Sequence, residues 1–294
     1  MSTVVPITLD YLPSRSQFDS DPPQRLYHYT DFDGAAGILQ SGALWMSKFT
    51  TSNDSSELRL AIQHFKNYAS QRCEQLPDDE AAFLQQASVQ LDSFQSTNIC
   101  VASFCESFDL LSQWRSYGND GRGLALVFDA LQLKQLASSQ GLRLVRCIYD
   151  QAMHVQISNE LIDLLLRSYK VVRPRSEQQL LDLLGYFNTT FLLTAPVIKD
   201  HHFHEEREWR LVSMPRSTAD PQMKPILRGS HASIKYVLPL RVESKESRII
   251  SSIVIGPSSN PSNVADTVWL LAEQSKFRLV EGIHFSRIPY RGRI

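Results

Sequence analysis

The sequence mixes short strand-like segments with longer helix-like segments, and the two types do not alternate strictly. Apolar or alternating runs predict strands at 25–29, 43–48, 99–104, 123–128, 142–149, 208–212 and 249–255, with two more within 226–240 and a pair within 277–288. Helical spacing of apolar residues predicts helices at 31–40, 58–69, 82–94, 157–172, 180–199 and 263–274. Because a doubly wound sheet requires strands and helices to alternate, this order favours an α+β fold.

The chain is expected to form one folded domain after an irregular arm. Residues 1–24 carry Pro6, Pro13, Pro22 and Pro23 and no sustained periodicity, which indicates an irregular N-terminal arm. Residues 25–294 are expected to form a single α+β domain with a helical insertion around 150–200. A chain of 294 residues buries about three quarters of its unfolded surface, so its core needs neither disulfides nor a metal.

Charge and hydropathy exclude several classes of protein. Thirty Lys and Arg face thirty-one Asp and Glu, which argues against a dedicated nucleic-acid binder and favours a small ligand in a local site. Arg287, Arg291 and Arg293 form a basic cluster that either contacts nucleic acid or is a solvated tail. The first residues lack the features of a signal peptide, and no apolar run approaches the roughly 20 residues of a membrane span. We therefore expect a cytoplasmic protein without membrane contact.

His28 is the first candidate site residue. It stands near the end of a predicted strand, in Leu26-Tyr-His-Tyr-Thr30, just before a helix. Functional side chains often project from the ends of strands. The alternative is a half-buried structural histidine between two tyrosines.

A second candidate segment joins aromatic and basic residues to a glycine-rich loop. Trp114, Arg115 and Tyr117 precede Gly118, Gly121 and Gly123. Backbone amides of such a loop can bind a phosphate, and Arg115 can clamp one with two hydrogen bonds. The glycine spacing fits neither a Walker loop nor a dinucleotide-binding loop. The alternative is a tight turn with Trp114 in the core.

Two acidic segments allow both structural and functional interpretations. Asp54 and Glu57 have the spacing of a helix capping box, with a ligand-facing role for Asn53 as the alternative. Glu206 and Glu208 stand two apart at a predicted strand, so both carboxylates are expected to point into one cleft and to raise each other's pKa. The alternative is that Glu208 pairs with an arginine.

No metal site is expected. The segment His201-His-Phe-His-Glu-Glu206 carries metal-ligating residue types. However, adjacent residues on a strand point to opposite faces, and the His-Glu-x-x-His spacing is absent. A solvated loop before a strand is the interpretation we prefer. The cysteines also lack the spacing of zinc ligands; they are Cys73, Cys100, Cys105 and Cys147.

Taken together, these motifs resemble bacterial proteins catalogued as domain of unknown function 2971. The residues that carry the resemblance are Leu26 to Thr30, Leu44-Trp-Met-Ser47, Asn53-Asp54 with Glu57, Leu111 to Gly118, Gly121-Arg-Gly123, Glu205 to Leu211 and Ile253 to Pro257. They are spread over most of the chain. Ser55 follows Asn53-Asp54 where this family more often has proline.

That family is similar at fold level to ADP-ribosyltransferases, which bind NAD in a cleft of a split β-sheet. The resemblance implies an α+β, ADP-ribosyltransferase-like split β-sheet with helical insertions, and NAD as co-substrate. By this resemblance Glu208 is the catalytic carboxylate, Glu206 orients the acceptor, and His28 holds the adenosine-side ribose. Tyr117 or Trp45 is the candidate for stacking on the nicotinamide, with Ser47 nearby. Tyr29 is a further NAD-binding candidate, and Arg115 is the candidate for binding the pyrophosphate.

The function implied by the resemblance is transfer of ADP-ribose to a protein or nucleic-acid acceptor through an oxocarbenium-like state. A setting in phage defence or in a toxin system, with a cognate antitoxin or partner protein, is implied in the same way. Two alternatives stay open. One is NAD glycohydrolysis with water as acceptor, and the other is a non-catalytic nucleotide-binding or partner-binding module on the same fold.

Overall fold

The computed structural model describes residues 8–51, 55–92, 98–228, 231–241, 246–257 and 261–291. The helices are α1 Arg15–Phe18, α2 Phe32–Ser41, α3 Ser55–Cys73, α4 Asp78–Gln90, α5 Leu111–Ser116, α6 Ala130–Ser139, α7 Gln151–Val172, α8 Glu177–Thr194 and α9 Pro261–Gln274. The strands are β1 Arg25–Thr30, β2 Ala43–Lys48, β3 Cys100–Cys105, β4 Leu124–Asp129, β5 Leu142–Arg146, β6 Glu208–Ser213, β7 Met223–Arg228, β8 His231–Pro239, β9 Ile250–Ile255 and β10 Gly282–Phe285. The predicted α+β class is confirmed.

The strands named above form one mixed sheet. Its order is β10-β9-β4-β1-β3-β2-β8-β7, and β6 pairs with both β3 and β5. β9 and β10 run parallel, and the remaining pairs are antiparallel. The central strand is therefore β3, which contacts three neighbours.

The sheet splits along one edge of β3. On one side, β6 pairs with β3 from Val101 to Cys105. On the other side, β1 reaches β3 through Tyr27 opposite Cys105, whereas β2 reaches its other end through Ser47 opposite Val101. The middle of β3, Ala102 to Phe104, thus faces a gap between β1 and β2.

Helices pack against the sheet through two large hydrophobic clusters. The first joins α3, α4, α7 and α8 to the sheet and includes Phe65, Leu165 and Phe187. The second joins α2, α6 and α9 to the other part of the sheet and includes Leu39, Leu133 and Val268. The helices around 150–200 therefore supply core residues.

The N-terminal segment is more ordered than its prolines suggest. Residues 8–24 contain a 3₁₀ turn, Leu9–Tyr11, and the short helix α1. Leu9, Leu12 and Phe18 are buried in the first cluster. These apolar side chains attach the segment to the helical layer.

Several element boundaries follow their local signals. Asp31 caps α2 by accepting a hydrogen bond from the amide of Gly34 at 2.7 Å, and Gly42 ends it with a left-handed φ of 64°. Two expectations were wrong. The helix α6, capped by Asp129, was missed, and the expected strand pair within 277–288 contains one strand, β10. Asp54, the predicted N-cap of the capping box, and Asn53, the alternative ligand-facing residue, lie outside the described residues.

Within the described part of the chain, one helical segment is long and apolar enough to cross a membrane. Glu177–Val197 has a mean hydropathy of 1.2 over its best window, and 61% of that window is buried inside the protein. A core helix of a soluble protein has the same properties, so this segment is weak evidence for a membrane span.

Replacing Phe187 with alanine should test whether α8 is an integral part of the core. Phe187 is fully buried, whereas its neighbour Tyr186 is 46% exposed. We expect Phe187→Ala to lower the free energy of unfolding by about 3–5 kcal/mol, and Tyr186→Ala to change it by less than about 0.5 kcal/mol. Urea unfolding followed by circular dichroism measures both. Equal effects of the two substitutions would contradict this packing.

Candidate functional site

A cavity of about 330 Å³ opens at the split in the sheet. Its walls come from β1, β2, β3 and β8, from the start of β6 and from α5. The cavity brings together seven of the residues singled out in the sequence: His28, Tyr29, Trp45, Ser47, Tyr117, Glu206 and Glu208. Arg115 does not reach it and instead borders a separate hollow beside Tyr290.

His28 lies on β1 at the edge that faces the split. Its Nδ1 lies 2.9 Å from the carbonyl oxygen of Ser103, in the middle of β3. Because a carbonyl only accepts, Nδ1 is the protonated nitrogen of a neutral ring and Nε2 is an acceptor. Burial lowers the pKa of His28 despite this hydrogen bond, so the imidazole is neutral near pH 7. The ring thus presents a hydrogen-bond acceptor.

The aromatic residues divide into a structural and an exposed group. The hydroxyl of Tyr29 donates to the carbonyl of Ser107 at 2.7 Å and accepts from the amide of Leu110 at 3.2 Å. Its ring packs at a steep angle against the ring of the buried Trp114, with 4.8 Å between the ring centres. By contrast, Trp45 and Tyr117 are 37% and 43% exposed. Both side chains are therefore partly exposed to solvent at the cavity wall.

The glycine-rich loop after α5 forms a tight turn. The amide of Gly121 donates to the carbonyl of Trp114 at 3.0 Å, and that of Gly123 donates to the carbonyl of Gly118 at 2.8 Å. A side chain on Gly123 would collide with the carbonyl of Thr30 on β1. The glycines therefore serve close packing of this loop on the sheet, with Trp114 in the core.

Glu206 and Glu208 converge for a different reason from the one predicted. Glu206 ends a 3₁₀ turn, His201–Glu206, and Arg207 has a left-handed φ of 41°, so only Glu208 belongs to β6. The strand alternation rule does not apply to this pair. Lys199 brings the two carboxylates together: its Nζ lies 2.7 Å from Glu206 Oε2 and also bonds Glu208 Oε2.

Glu208 belongs to a buried cluster of ionised groups. Arg210 donates to both carboxylate oxygens of Glu208, at 2.7 and 2.9 Å, and its Nη2 lies 2.6 Å from Glu57 Oε2. Its Nη1 donates to the carbonyl of Pro196 at 2.9 Å. Lys199 lies 3.6 Å from Glu57. The alternative that pairs Glu208 with an arginine is therefore correct, although Glu208 also borders the cavity.

This cluster keeps the carboxylate of Glu208 ionised. Burial alone would raise the pKa of Glu208, but Arg210 and Lys199 together lower it to about 2. The expectation that the two carboxylates raise each other's pKa is thus wrong for Glu208. The cluster holds the carboxylates of Glu57, Glu206 and Glu208 against the cations of Lys199 and Arg210. One negative charge therefore remains in excess at this end of the cavity.

Two lysines that were not predicted from the sequence line the opposite end of the cavity from Glu206 and Glu208. Lys48 is buried at the end of β2. Lys235, on β8, donates from Nζ to Ser47 Oγ at 2.5 Å, and burial lowers its pKa. The pairing of β2 with β8 places Lys235 opposite Ser47. The cavity thus has carboxylates at one end and ammonium groups at the other.

All four cysteines are free thiols. Burial raises the pKa of Cys105, in the cavity wall, to about 11.

Of the described residues, those that could hold a metal are Asp200, His201 and His202, whose ligand atoms lie within 4.8 Å of one another. They belong to the 3₁₀ turn and its N-cap, so the strand argument against a metal there does not hold. They lie outside the cavity lining.

Comparison with known proteins gives a match to a protein family. Residues 113–211 match the family described as Protein of unknown function (DUF2971). This match supports the resemblance over the part of the chain from α5 to β6, which includes Tyr117, Glu206 and Glu208. No curated protein and no solved structure matches the chain.

The pH dependence of stability should identify Glu208 as a buried ion-pair partner. Its pKa falls from 4.5 to about 2 in the fold, so the stability it contributes is complete above pH 4.5 and is lost as the pH falls toward 2. We expect Glu208→Gln to cost about 3–5 kcal/mol near pH 7, and this cost should shrink progressively at acid pH.

Urea unfolding of the wild type and of Glu208→Gln between about pH 7 and pH 3 measures this difference. The matched control is Glu205→Gln, because Glu205 is exposed three residues away and should show little effect at any pH. A cost for Glu208→Gln that stays constant over this range would contradict the assigned ion pairs.

Proposed function

We propose that the protein is an NAD-dependent ADP-ribosyltransferase-like enzyme that binds NAD in the cavity at the split of the sheet. The observation that carries this proposal is the charge separation along the cavity, with Glu206 and Glu208 at one end and Lys48 and Lys235 at the other. NAD has the complementary pattern, because its nicotinamide ring is cationic and its pyrophosphate is anionic. The gap between β1 and β2 supports an ADP-ribosyltransferase-like split sheet.

The chemistry assigned to this site is cleavage of the bond between nicotinamide and ribose. Such cleavage develops positive charge on the ribose ring, as in other glycosidic reactions. A fixed, ionised carboxylate beside the ribose stabilises that charge, and Glu208 has both properties. Nicotinamide leaves as a neutral base, so no strong general acid is required.

Lys199 and Arg210 leave limited room for a further contact with Glu208. An ionised carboxylate accepts at about four lone-pair positions, and Lys199 and Arg210 occupy three of them. One position stays available for a ribose hydroxyl. Glu206 has a more exposed side chain than Glu208, 15% against 4%, which suits the role of orienting the acceptor.

The other proposed NAD contacts come from neutral, aromatic and cationic side chains in the cavity wall. His28 offers Nε2 as an acceptor for a hydroxyl of the adenosine-side ribose. The partly exposed rings of Trp45 and Tyr117 suit stacking on nicotinamide. Tyr29 contributes its ring alone, because its hydroxyl is engaged. Lys235, beside Ser47, replaces Arg115 as the group proposed to bind the pyrophosphate.

A non-catalytic NAD-binding module is the second candidate. The observation that favours it is the buried ion-pair cluster, since Lys199 and Arg210 already bind the carboxylate that catalysis would require. The identity of the acceptor and a role in phage defence or in a toxin system stay predictions.

Incubation with NAD labelled on the adenylate tests catalysis directly. We expect release of nicotinamide and transfer of label to an acceptor. Glu208→Gln should lower nicotinamide release about 100-fold or more, because it removes the charge that stabilises the transition state. Glu206→Gln should reduce transfer but keep release into water, and the exposed control Glu205→Gln should match the wild type.

The possible outcomes separate the hypotheses. Release without transfer to any acceptor would identify a glycohydrolase, and NAD binding without release would identify a binding module. If the wild type neither binds nor cleaves NAD, the proposal is wrong. Because Glu208→Gln disturbs a buried cluster, His28→Asn is the second variant, and it should weaken NAD binding without loss of stability.

A further inference from the structure

A second cavity, of about 540 Å³, lies beside the first on the same face of the sheet. Both cavities share Tyr27. In the sheet, Cys105 on β3 lies between Tyr27 on β1 and Glu208 on β6. On its other side, Tyr27 lies opposite Val127 on β4. Side chains that are directly opposite in antiparallel strands project from one face. With strands about 4.8 Å apart, Tyr27 lies about 10 Å from Glu208.

Three aromatic side chains, those of Tyr27, Phe108 and Phe285, line the second cavity. Phe108 and Phe285 are 42% and 46% exposed, and the rings of Tyr27 and Phe108 lie 6.3 Å apart. Val127 and Val254 form the apolar floor. A single exposed aromatic residue is ordinary on a protein surface. A concave site with exposed phenylalanine faces and a shared tyrosine is suited to planar rings.

An arginine lines the cavity beside these aromatic residues, and two more are candidates for contact with a longer ligand. Arg287 lines the second cavity, Arg115 borders the hollow beside Tyr290, and Arg291 follows in the chain. Among the residues that the structure describes, none of these three arginines forms an ion pair with a carboxylate. All three are exposed. They therefore offer charge to an anionic ligand.

The backbone that carries Arg287 is fixed. Asp109 accepts from Ser286 Oγ at 2.6 Å and from the amide of Arg287 at 2.7 Å. The same carboxylate accepts from the indole of the buried Trp114 at 2.8 Å. The acidic residue at the cavity edge, Glu281, pairs with Arg25. The aromatic and basic surface formed by Tyr27, Phe108, Phe285 and Arg287 is thus supported by the core.

We propose that this aromatic and basic surface binds single-stranded nucleic acid, which is the acceptor for ADP-ribose. Bases of a single strand are free to stack on aromatic side chains, and arginines contact the phosphates. A few cations suit a short bound segment, in agreement with the neutral net charge of the chain. The role as acceptor rests on the proposed function, whereas the binding does not.

The transfer step is balanced without a further reactant. The bond between the ribose anomeric carbon and the nicotinamide nitrogen breaks, and nicotinamide leaves with the bonding electron pair. A nitrogen or oxygen of a base next to the one in the second cavity forms the new bond to that carbon. Its proton passes to the carboxylate of Glu206, which borders the first cavity, and from there to water.

Fluorescence anisotropy with labelled single-stranded DNA and RNA oligonucleotides of about 12 nucleotides, without NAD, tests the binding. Phe108→Ala should weaken binding about tenfold, because a stacked base is lost. Arg287→Ala should weaken binding and flatten its dependence on salt between about 50 and 200 mM. Matched controls are Leu131→Ala, 61% exposed on α6, and Arg175→Ala, exposed between α7 and α8; both should bind as the wild type does.

Three results would overturn the inference: no binding of any oligonucleotide by the wild type, equal binding by Phe108→Ala and Leu131→Ala, or tighter binding of duplex than of single strands.

Nicotinamide release without acceptor provides a separate readout. It should be unchanged in Phe108→Ala, and a fall there would assign the second cavity to NAD and overturn the inference. If NAD is not cleaved, the proposed function fails while the binding result still stands.

Discussion

The buried ion-pair cluster around Glu208 is the interaction on which the site depends. It joins β6, through Glu208 and Arg210, to Glu57 on α3 and to Lys199 in the segment after α8. A buried charge is tolerated only when it is paired and hydrogen-bonded, so each partner fixes the others. The helical layer and the sheet are thereby held in one arrangement, with an ionised carboxylate at the cavity wall. Loss of Lys199 or Arg210 would leave carboxylates of this cluster uncompensated in the core.

Local sequence patterns predicted most of the elements but not their pairing. β2 has the predicted bounds, and Gly42 ends α2 as expected. The helix α6 was missed although Asp129 and the spacing of Ala130, Leu133 and Ala137 gave the usual signals for a capped amphipathic helix. The split of the sheet at β3 depends on contacts between distant strands, and no local pattern specifies such a register.

The candidate site was predictable where a motif is local and unpredictable where it depends on tertiary pairing. His28 and Glu208 were singled out within their own strands, and both border the cavity. The prediction that Glu206 shares a strand face with Glu208 is wrong, because Glu206 ends a 3₁₀ turn and Arg207 has a left-handed φ. Lys235 meets Ser47 across 188 residues of sequence, so only the fold reveals the cationic end. Arg115 carried a plausible signal, but it lies within α5 and borders a separate hollow.

The central claim is that the charge-separated cavity at the split binds NAD with its ribose next to Glu208. A crystal structure of the protein with bound ADP-ribose tests this claim most directly. We predict the ribose against Glu208 and His28 and the pyrophosphate toward Lys235 and Lys48. A ligand located elsewhere, or in this cavity with its phosphates against Glu206 and Glu208, would contradict the account.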